Sequence, residues 1–286
     1  MIFKTLKEKC EYYRKLTDYR LLPNGYVLVM IDGKNFSSLI KNKFEKPFDN
    51  WFIQTMNETA EHVCKQIQNC KGAFVQSDEI SFLIKDNNLT ELPYDGRLCK
   101  LLSIIPATAT SFFTKKMMEH HTLKKMKELM TLSIHSDMSG LEDKHMKNED
   151  GMIMFDYLTY PDYVFDCKVW SVPNENDAIS WFLYRQIDCV RNSKQQFCQT
   201  YLSHKQLMGL HCDIQVKKCT EETGHDWNQI TEDKKYGRFL YKDIVHKTNE
   251  KGENYIRRVW KIWTGDLTKE ENRQDLINKW LKEEEK

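Results

Sequence analysis

Two short acidic segments have the residue types of a nucleotidyl-transfer site. Residues 31–36 (IDGKNF) contain Asp32, and residues 76–79 (QSDE) contain Asp78 and Glu79. Each segment ends a short apolar run whose β-branched and aromatic residues are typical of a buried strand. Because carboxylates at strand ends suit the metal ions that such chemistry uses, we interpret these three residues as catalytic.

The segment between the two acidic stretches predicts how they meet. Residues 49–66 are amphipathic with helical spacing, which indicates a strand, helix, strand crossover. Such a crossover runs its two strands parallel and is nearly always right-handed. Both strands then end at the same edge of the sheet, so we expect Asp32 to lie close to Asp78 and Glu79.

Three carboxylates at one sheet edge repel one another unless cations neutralise them. Two magnesium ions about 3.5 to 4 Å apart would do so, and would also activate a hydroxyl, orient a triphosphate and stabilise a pyrophosphate leaving group. The backbone oxygen of Gly33, which has no side chain in the way, is available to one ion. We predict Asp32, Gly33 and Asp78 as the metal ligands; the alternative is that these are turn carboxylates which cap a helix or line a hairpin.

Phosphate groups need hydrogen-bond donors, and two cationic residues follow the second acidic segment. Arg97 and Lys100 are three residues apart at the start of a predicted helix, so they share one face. Helix amino termini also favour anions. In isolation this pair is typical of a solvated surface, and its position one hairpin after the acids is what favours a triphosphate contact.

The predicted elements follow the order β, α, β, β, α, β. Strands are predicted at residues 26–31, 72–75, 80–84 and 163–169, and helices at residues 49–66 and 98–112. We expect an α+β fold, a ferredoxin-like polymerase palm with additional C-terminal helices and a strand pair. Polymerase palms, nucleotide cyclases and RNA-recognition modules share this order, so the fold alone does not choose among them.

The rest of the chain is predicted to complete this palm. Residues 114–160, rich in Met, Lys and His, form an insert too long for a plain loop, either a flap or a surface hairpin. Helices are predicted at residues 174–201 and 206–219, and a closing strand pair at residues 238–245 and 255–263. We therefore divide the chain into a palm-like catalytic region, residues 1–172, and a helical and strand-pair region, residues 173–286, that completes the site.

The composition favours a soluble globular protein of a reducing compartment. Lys and Arg number 43 against 42 Asp and Glu, so the net charge of +1 gives no global attraction to nucleic acid. Nine cysteines form an odd set without a Cys-x-x-Cys pair, which favours reduced thiols. No stretch approaches the roughly 18 apolar residues of a membrane span. We expect a cytoplasmic protein, with a mitochondrial location left open.

Two further patterns concern RNA. Residues 71–75 (KGAFV) resemble the opening of an RNA-recognition signature, but that signature belongs on the third strand of its fold and continues with aromatic residues. Residues 234–261 interleave basic and aromatic side chains, which is consistent with an RNA-backbone surface. An ordinary amphipathic hairpin explains the second pattern equally well. The basic residues are Lys234, Lys235, Arg238, Lys242, Arg257, Arg258 and Lys261.

Three motifs in order resemble those of the tRNA-histidine guanylyltransferase family of reverse-direction polymerases. They are IDGKNF (31–36), FEKP (44–47) with Asp49, and QSDEISF (76–82). The likeness continues to about Val245 through shorter stretches: GRLCK (96–100), FDCKV (165–169), YRQ (184–186) with Asp188, RNS (191–193), SHKQL (203–207) and DWN (226–228).

The resemblance implies roles for individual residues. Asp32, the Gly33 carbonyl and Asp78 would hold two magnesium ions, with Glu79 supporting them. Contacts to the activating nucleotide would come from Lys46, Ser77 and Asn192. A triphosphate would be gripped by Arg97 and Lys100, and Lys205 would act around the nucleotide and the tRNA end.

The resemblance also implies a reaction and its partners. The family activates a tRNA 5′ phosphate with ATP, GTP or another NTP, and the 3′ hydroxyl of an incoming nucleotide then attacks it. RNA therefore grows in the 3′-to-5′ direction. Family members usually assemble as homotetramers.

One motif separates two branches of the family. Residues 190–196 read VRNSKQQ, where enzymes that add the untemplated guanylate to histidine tRNA carry HINNLYN. The RNS and SHKQL stretches instead resemble the branch that repairs or edits tRNAs with missing or incorrect 5′ nucleotides by copying the opposite strand. Met30 stands where many relatives carry an arginine aimed at the triphosphate, so that phosphate contact is missing or supplied elsewhere.

Template-dependent tRNA 5′-end repair is therefore the predicted function, and three alternatives stay open. The first is a tRNA-histidine guanylyltransferase that adds the untemplated 5′ guanylate. The second is a nucleotide cyclase, which would need one NTP and a dimeric site. The third, from a different class, is a non-catalytic RNA-binding module whose binding survives metal chelation.

Overall fold

The computed structural model describes residues 3–39, 44–86, 91–134, 162–248 and 252–281. For residues 125 and 128–134 it describes the helical backbone alone. Within these ranges, no helix combines the length and apolar character that crossing a membrane requires.

A six-stranded sheet forms the centre of the protein. Its strands are β1 (Tyr26–Gly33), β2 (Cys70–Gln76), β3 (Glu79–Lys85), β4 (Phe165–Val172), β5 (Arg238–Thr248) and β6 (Asn254–Trp263). They lie in the order β4-β1-β3-β2-β5-β6, and every neighbouring pair is antiparallel. Since β3 separates β1 from β2, these two strands run parallel and end at the same edge, as the crossover predicts.

The predicted α+β palm is confirmed, and the strand pair is part of it. The first four strands and the helices α3 (Asn50–Gln66) and α4 (Leu98–Ile134) give the βαββαβ order. The strand pair β5 and β6 extends the same sheet through β2. The division of the chain after residue 172 stays a prediction.

Helices cover both faces of the sheet because side chains alternate along each strand. On one face Val27, Val29 and Ile31 pack with residues of α3 and α4. On the other face Leu28 packs with residues of α5 (Glu175–Tyr201) and α9 (Glu270–Leu281). Strands covered on both faces read as nearly continuous apolar runs, which is why β1 and β3 were recognisable in the sequence.

A third cluster extends beyond the sheet. Phe197, Cys198 and Leu202, at the end of α5, pack with Leu207 and Val216. The last two belong to the short α6 (His204–Leu207) and to α7 (Cys212–Thr223). The remaining described helices are α1 (Leu6–Lys15), α2 (Phe36–Leu39) and α8 (Glu232–Tyr236).

Two element predictions are wrong. The predicted insert begins at residue 114, but α4 continues through Pro106 to Ile134, so the first part of that segment is helix. The rest of the predicted insert, up to residue 160, lies outside the described residues. The single helix predicted for residues 206–219 is two helices, because Gly209 between them takes a left-handed backbone (φ 78°) that a helix interior does not accept.

Candidate active site

One edge of the sheet carries a row of polar residues on four neighbouring strands. Asp32 on β1 pairs in register with Asp166 on β4 and with Glu79 on β3, and Glu79 pairs with Gln76 on β2. Residues paired in register point to the same side of a sheet. Leu28, an even number of residues from Asp32, packs toward α5, so this side faces α5. We call Asp166, Asp32, Glu79 and Gln76 the acidic row.

Asp78 lies in the tight turn that joins β2 to β3. Ser77 takes a left-handed backbone (φ 44°), and its side chain hydrogen-bonds to the Asp78 carboxylate. The Gly33 N–H donates to the Asp78 carbonyl oxygen over 3.1 Å. This bond ties the turn to the end of β1, so the three predicted metal ligands lie at one sheet edge.

Gly33 leaves no room for a side chain. A Cβ built on Gly33 would approach the Phe36 ring to 2.5 Å. Phe36 is fully buried beneath the end of β1 and contacts Phe113, Tyr163 and Phe165 at ring-centroid distances of 5.0–5.7 Å. The glycine thus lets a buried aromatic ring support the edge on which the carboxylates lie.

The electrostatics of this edge favour a bound cation. Burial, together with the carboxylates of Asp78, Glu79 and Asp166, raises the pKa of Asp32 to about 6 from its ordinary value of 3.8. Burial also raises the pKa of Asp78, against the lowering effect of the Ser77 hydrogen bond. Carboxylates that resist ionisation in the absence of a positive partner gain from a metal ion beside them.

Glu79 has a partner that the sequence did not indicate. Its two carboxylate oxygens accept from Arg185 on α5, over 2.8 Å from Nε to Oε1 and 2.5 Å from Nη2 to Oε2. Gln76 donates to the same Oε1 over 3.1 Å. Because both oxygens are engaged, Glu79 contributes to the acidic row as half of an ion pair.

The same arginine leads along α5 to Asn192. Arg185 also donates to Asp188 over 3.1 Å, and Asp188 accepts from Arg191 and, over 3.3 Å, from Asn192. Asn192 is two helical turns beyond Arg185, about 10 Å further along the helix axis. It therefore lies beyond the strand ends that carry the acidic row.

Lys46 lies near the same edge. It is exposed in the segment before α3, and α3 leads into β2, which runs toward the acidic row. Phe44 packs on Phe52 at 5.3 Å between centroids, Phe52 on Phe113 at 6.1 Å, and Phe113 on Phe36 at 5.1 Å. This chain of aromatic contacts anchors the Lys46 segment beside the end of β1.

Lys205 belongs to the helical region that borders this segment. It is exposed on α6, whose Leu207 is buried in the third cluster. Phe48, two residues after Lys46, packs against the same cluster. The structure thus brings the Lys46 segment and α6 side by side.

Arg97 and Lys100 lie elsewhere. The N–H of Leu98 donates to the carbonyl oxygen of Tyr19 over 2.9 Å, so α4 begins beside the segment that leads into β1. Arg97 faces Asp18 of that segment, with 3.6 Å between the charged atoms. The start of β1 is the end of the sheet remote from Asp32.

The far end of the helix confirms this separation. Thr110 accepts from the N–H of Phe165 over 3.2 Å, and Phe165 pairs with Gly33 beside the acidic row. The helix between Arg97 and Thr110 spans about 20 Å. Within one chain, Arg97 and Lys100 are therefore not brought to the acidic row, and their contact with a triphosphate stays a prediction.

Two residues of β4 join the site although no role was predicted for them from the sequence. Asp166 is in the acidic row, and Lys168 pairs in register with Met30, two residues along β1 from Asp32. Lys168 is exposed, and it makes no ion pair with any residue in the described ranges. The alternation of Asp166 and Lys168 around Cys167 is the signal that would have found them, since it puts both side chains on one face of a strand.

The donor set fits magnesium. In the part of the chain that the structure describes, no three His, Cys, Asp or Glu side chains are grouped as an all-protein metal cage. Magnesium does not need one, because it usually keeps several waters and binds one or two carboxylates together with substrate phosphates. Asp32, Asp78 and the Gly33 carbonyl offer oxygen ligands of this kind.

The rival RNA signature does not form a binding surface. Phe74 is fully buried and stacks on Phe239 at 4.5 Å between centroids, so it is not available to RNA bases. The expected basic surface of residues 234–261 is also interrupted. Arg238 is buried, and its Nε donates to Asn57 over 2.9 Å.

A palm sheet with carboxylates at one edge and basic side chains around that edge has the architecture of a nucleotidyl-transfer protein. Comparison with known proteins agrees: the family model described as tRNAHis guanylyltransferase matches residues 7–173. The chain therefore belongs to the tRNAHis guanylyltransferase family, which consists of nucleotidyltransferases.

Two distant relatives align with most of the chain. An uncharacterised protein of Acanthamoeba polyphaga mimivirus is 24% identical over 279 residues, 94% of this chain and 87% of that protein. A Dictyostelium discoideum protein described as a probable tRNA(His) guanylyltransferase is 24% identical over 242 residues, 80% of each chain. A bacterial tRNA(His) guanylyltransferase-like protein solved with ATP superposes with a TM-score of 0.72 at 23% identity, over 95% of this chain and 99% of its own. That likeness establishes the fold.

Proposed function

We propose that this protein is a tRNA 5′-end repair enzyme that adds nucleotides in the 3′-to-5′ direction, using a template strand, NTPs and two magnesium ions. The observation that carries the proposal is the meeting of Asp32, Gly33 and Asp78 at one edge of a palm sheet. Membership of the tRNAHis guanylyltransferase family supports nucleotidyl transfer to tRNA.

Bound magnesium would supply a polarised hydroxyl nucleophile and charge stabilisation of the departing phosphates. Asp32 and Asp78 would hold it through carboxylate oxygens, and Gly33 through its backbone oxygen. Arg185 keeps Glu79 turned toward α5, which leaves the two aspartates as the ligands. We therefore assign Glu79 a supporting role beside the ligands.

Cationic and polar residues around the edge would bind the nucleotide. Lys46, Ser77 and Asn192 would contact the activating nucleotide; Ser77 follows Gln76 of the acidic row, and Asn192 hydrogen-bonds to Asp188, which also accepts from Arg185. Lys168 would supply the phosphate contact that Met30 cannot make, since the two residues are paired on neighbouring strands. Lys205 would act near the tRNA end. Two structural neighbours, solved in complex with ATP and with GTP, support NTP binding.

The choice of template-dependent repair over untemplated guanylate addition comes from residues 190–196 (VRNSKQQ). They replace the HINNLYN stretch expected of enzymes specific for histidine tRNA. Watson–Crick pairing with the opposite strand of the acceptor stem would then select the incoming nucleotide. The substrate would be a tRNA with missing or incorrect 5′ nucleotides, bound by a homotetramer.

The test is nucleotide incorporation by the purified protein. A 5′-truncated tRNA with an activated 5′ end, magnesium and labelled NTPs should give extension by the base complementary to the template position. Changing that template base should change the nucleotide added. Equal addition of guanylate to a full-length histidine tRNA, whatever the template base, would favour the guanylyltransferase alternative.

Asp78→Ala provides the catalytic control. We expect it to reduce the rate by about a hundredfold or more, because it removes charge stabilisation at the transition state. The matched variant Asp275→Ala removes a half-exposed carboxylate on α9, remote from the acidic row, and should retain full activity. Unaltered turnover in Asp78→Ala would refute the metal assignment.

A further inference from the structure

The hairpin of β5 and β6 continues past the strand that supports it. β2 pairs with β5 from Val75↔Arg238 to Gly72↔Tyr241, whereas β5 pairs with β6 as far as Thr248↔Asn254. In the described sheet, β5 therefore pairs with β6 but not with β2 after Tyr241. We call residues 242–248 and 254–260 the ribbon, and its outer part projects from the end of the sheet.

The ribbon is basic although the chain as a whole is almost neutral. It carries four basic residues, Lys242, Lys247, Arg257 and Arg258, against one acidic residue, Asp243; the intervening residues 249–253 add Glu250, Lys251 and Glu253, so residues 242–260 keep a net positive charge. Asp243 is itself neutralised by Lys261, with 2.5 Å between the charged atoms. Local charge of one sign on an exposed element is what a protein of near-zero net charge needs in order to attract a polyanion.

One face near the tip combines charge with an aromatic ring. Lys247 pairs in register with Tyr255, and Arg257 lies two residues along the strand from Tyr255, so the three side chains share a face. All three are exposed, Tyr255 by 44%. Neither Lys247 nor Arg257 makes an ion pair with a residue of the described ranges. Their charges are therefore available to a ligand.

We propose that this face of the ribbon binds the phosphate backbone of an RNA duplex. Lys247 and Arg257 would contact phosphate oxygens, and Tyr255 would pack against a ribose between them. The identification of that RNA as the tRNA substrate rests on the proposed function. Phosphate contacts of this kind position RNA without reading its sequence, which suits an enzyme that leaves base selection to pairing.

The position of the ribbon predicts how long the RNA must be. β5 starts at Arg238 beside Val75, next to the acidic row, and Thr248 is about 33 Å further along the strand. A duplex held at its 5′ end by the acidic row would have to extend that far to reach the tip. A short RNA hairpin of five base pairs spans only about 17 Å, even at the rise per base pair of B-form DNA.

The experiment measures binding of a labelled tRNA to the full chain at several salt concentrations. For Lys247→Ala with Arg257→Ala we expect about tenfold weaker binding, and a slope of log affinity against log salt reduced by about one to two. The matched control is Lys7→Ala with Lys9→Ala on α1, which removes the same charge and should bind like the unmodified protein. The short hairpin should bind all three proteins equally.

Three results would overturn the proposal. The first is unchanged tRNA affinity in the ribbon variant, and the second is an equal loss in the α1 control. The third is a change in molar mass by light scattering without a change in tRNA binding, which would make the ribbon a contact between copies of the chain. Because the ribbon is exposed, thermal unfolding should confirm that the variant folds.

The proposed activity is judged separately. Nucleotide addition to the short hairpin does not involve the ribbon, so it should be the same in both variants. The unmodified protein could add no nucleotide to any RNA while the Lys247→Ala, Arg257→Ala variant binds tRNA more weakly than it does. In that case the ribbon proposal stands and the enzymatic proposal fails.

Discussion

Arg185 and Glu79 form a bidentate ion pair between α5 and the first residue of β3, at 2.8 and 2.5 Å. Their side chains are only 13% and 9% exposed. Fork-to-fork pairs of this kind fix the orientation of a carboxylate as well as its charge. The pair therefore removes one negative charge from the acidic row and joins the helix that carries Asn192 to the sheet edge that carries Asp32.

Loss of one partner should be costly. We expect Arg185→Met to destabilise the fold by about 3 kcal/mol, because it leaves the Glu79 carboxylate buried without a counter-charge. Arg185→Lys should lose less stability, since it keeps the charge but not the two parallel hydrogen bonds. The measurement is the free energy of unfolding in urea.

The double variant Arg185→Met with Glu79→Gln serves as the control. It removes both charges, so most of the lost stability should return. The coupling free energy in the double-mutant cycle should be more than about 1 kcal/mol, as expected for two residues in contact. Additive effects of the two substitutions would mean that the ion pair has no energetic role.

This pair also shows where prediction from sequence stops. The meeting of Asp32 with the second acidic segment was predictable, because a crossover helix of 17 residues leaves two parallel strands little choice of edge. The partner of Glu79 was not, since it depends on which turn of α5 packs over β3. Neither the spacing nor the composition of residues 175–201 encodes that packing.

The placement of Arg97 and Lys100 illustrates the same limit. They follow the acidic hairpin in sequence, which suggested that they approach the acids. A hairpin, however, reverses the chain, so β3 carries it away from the acidic row and α4 begins at the opposite end. Proximity in sequence and proximity in space diverge here by the full length of a strand.

The raised pKa of Asp32 predicts a pH-dependent stability in the absence of metal. The folded state keeps Asp32 protonated up to about pH 6, whereas the unfolded chain ionises it near 3.8. The folded state therefore binds more protons between these values, and the contribution of Asp32 to stability is lost as the pH rises from about 4 to about 6. Above pH 6 the ionised carboxylate destabilises the metal-free protein.

Asp32→Asn should abolish this dependence. In a chelating buffer at pH 7 the variant should melt at a higher temperature than the unmodified protein, and the difference should vanish near pH 4. Added magnesium should raise the melting temperature of the unmodified protein but not that of the variant. A variant that is less stable than the unmodified protein at pH 7 without metal would contradict the electrostatic account.

Lys168 should matter for nucleotide binding more than for the fold. It is exposed, pairs with Met30 and makes no ion pair in the described part of the chain, so Lys168→Ala should leave the melting temperature unchanged. If it contacts a phosphate, we expect the KM for NTP to rise by about tenfold, the value of one hydrogen bond to a charged group.

Two variants define this test. Lys168→Arg keeps the charge and should retain most of the affinity. Lys65→Ala, at the end of α3 remote from the acidic row, removes the same charge and should leave the KM unchanged. Equal KM values for Lys168→Ala and the unmodified protein would show that the phosphate contact which Met30 lacks comes from elsewhere.

Gly72 has a packing role, although it lies in the stretch that resembles an RNA-recognition signature. The indole of Trp280 on α9 covers Gly72 so closely that an added Cβ would overlap the ring. Trp280 is buried, and its Nε1 donates to the carbonyl oxygen of Leu240 over 2.9 Å. The absence of a side chain at Gly72 thus lets the Trp280 ring of α9 pack directly on this face of the sheet.

Gly72→Ala should therefore displace Trp280 and destabilise the fold by about 1 to 3 kcal/mol, the usual cost of overpacking. The change should be visible in tryptophan fluorescence and in urea unfolding. In a Trp280→Leu background the added methyl group finds space, so the further loss caused by Gly72→Ala should be smaller. RNA affinity should not change in any of these variants, because Phe74 in the same stretch is buried; a selective loss of RNA binding in folded Gly72→Ala would restore the RNA-recognition interpretation.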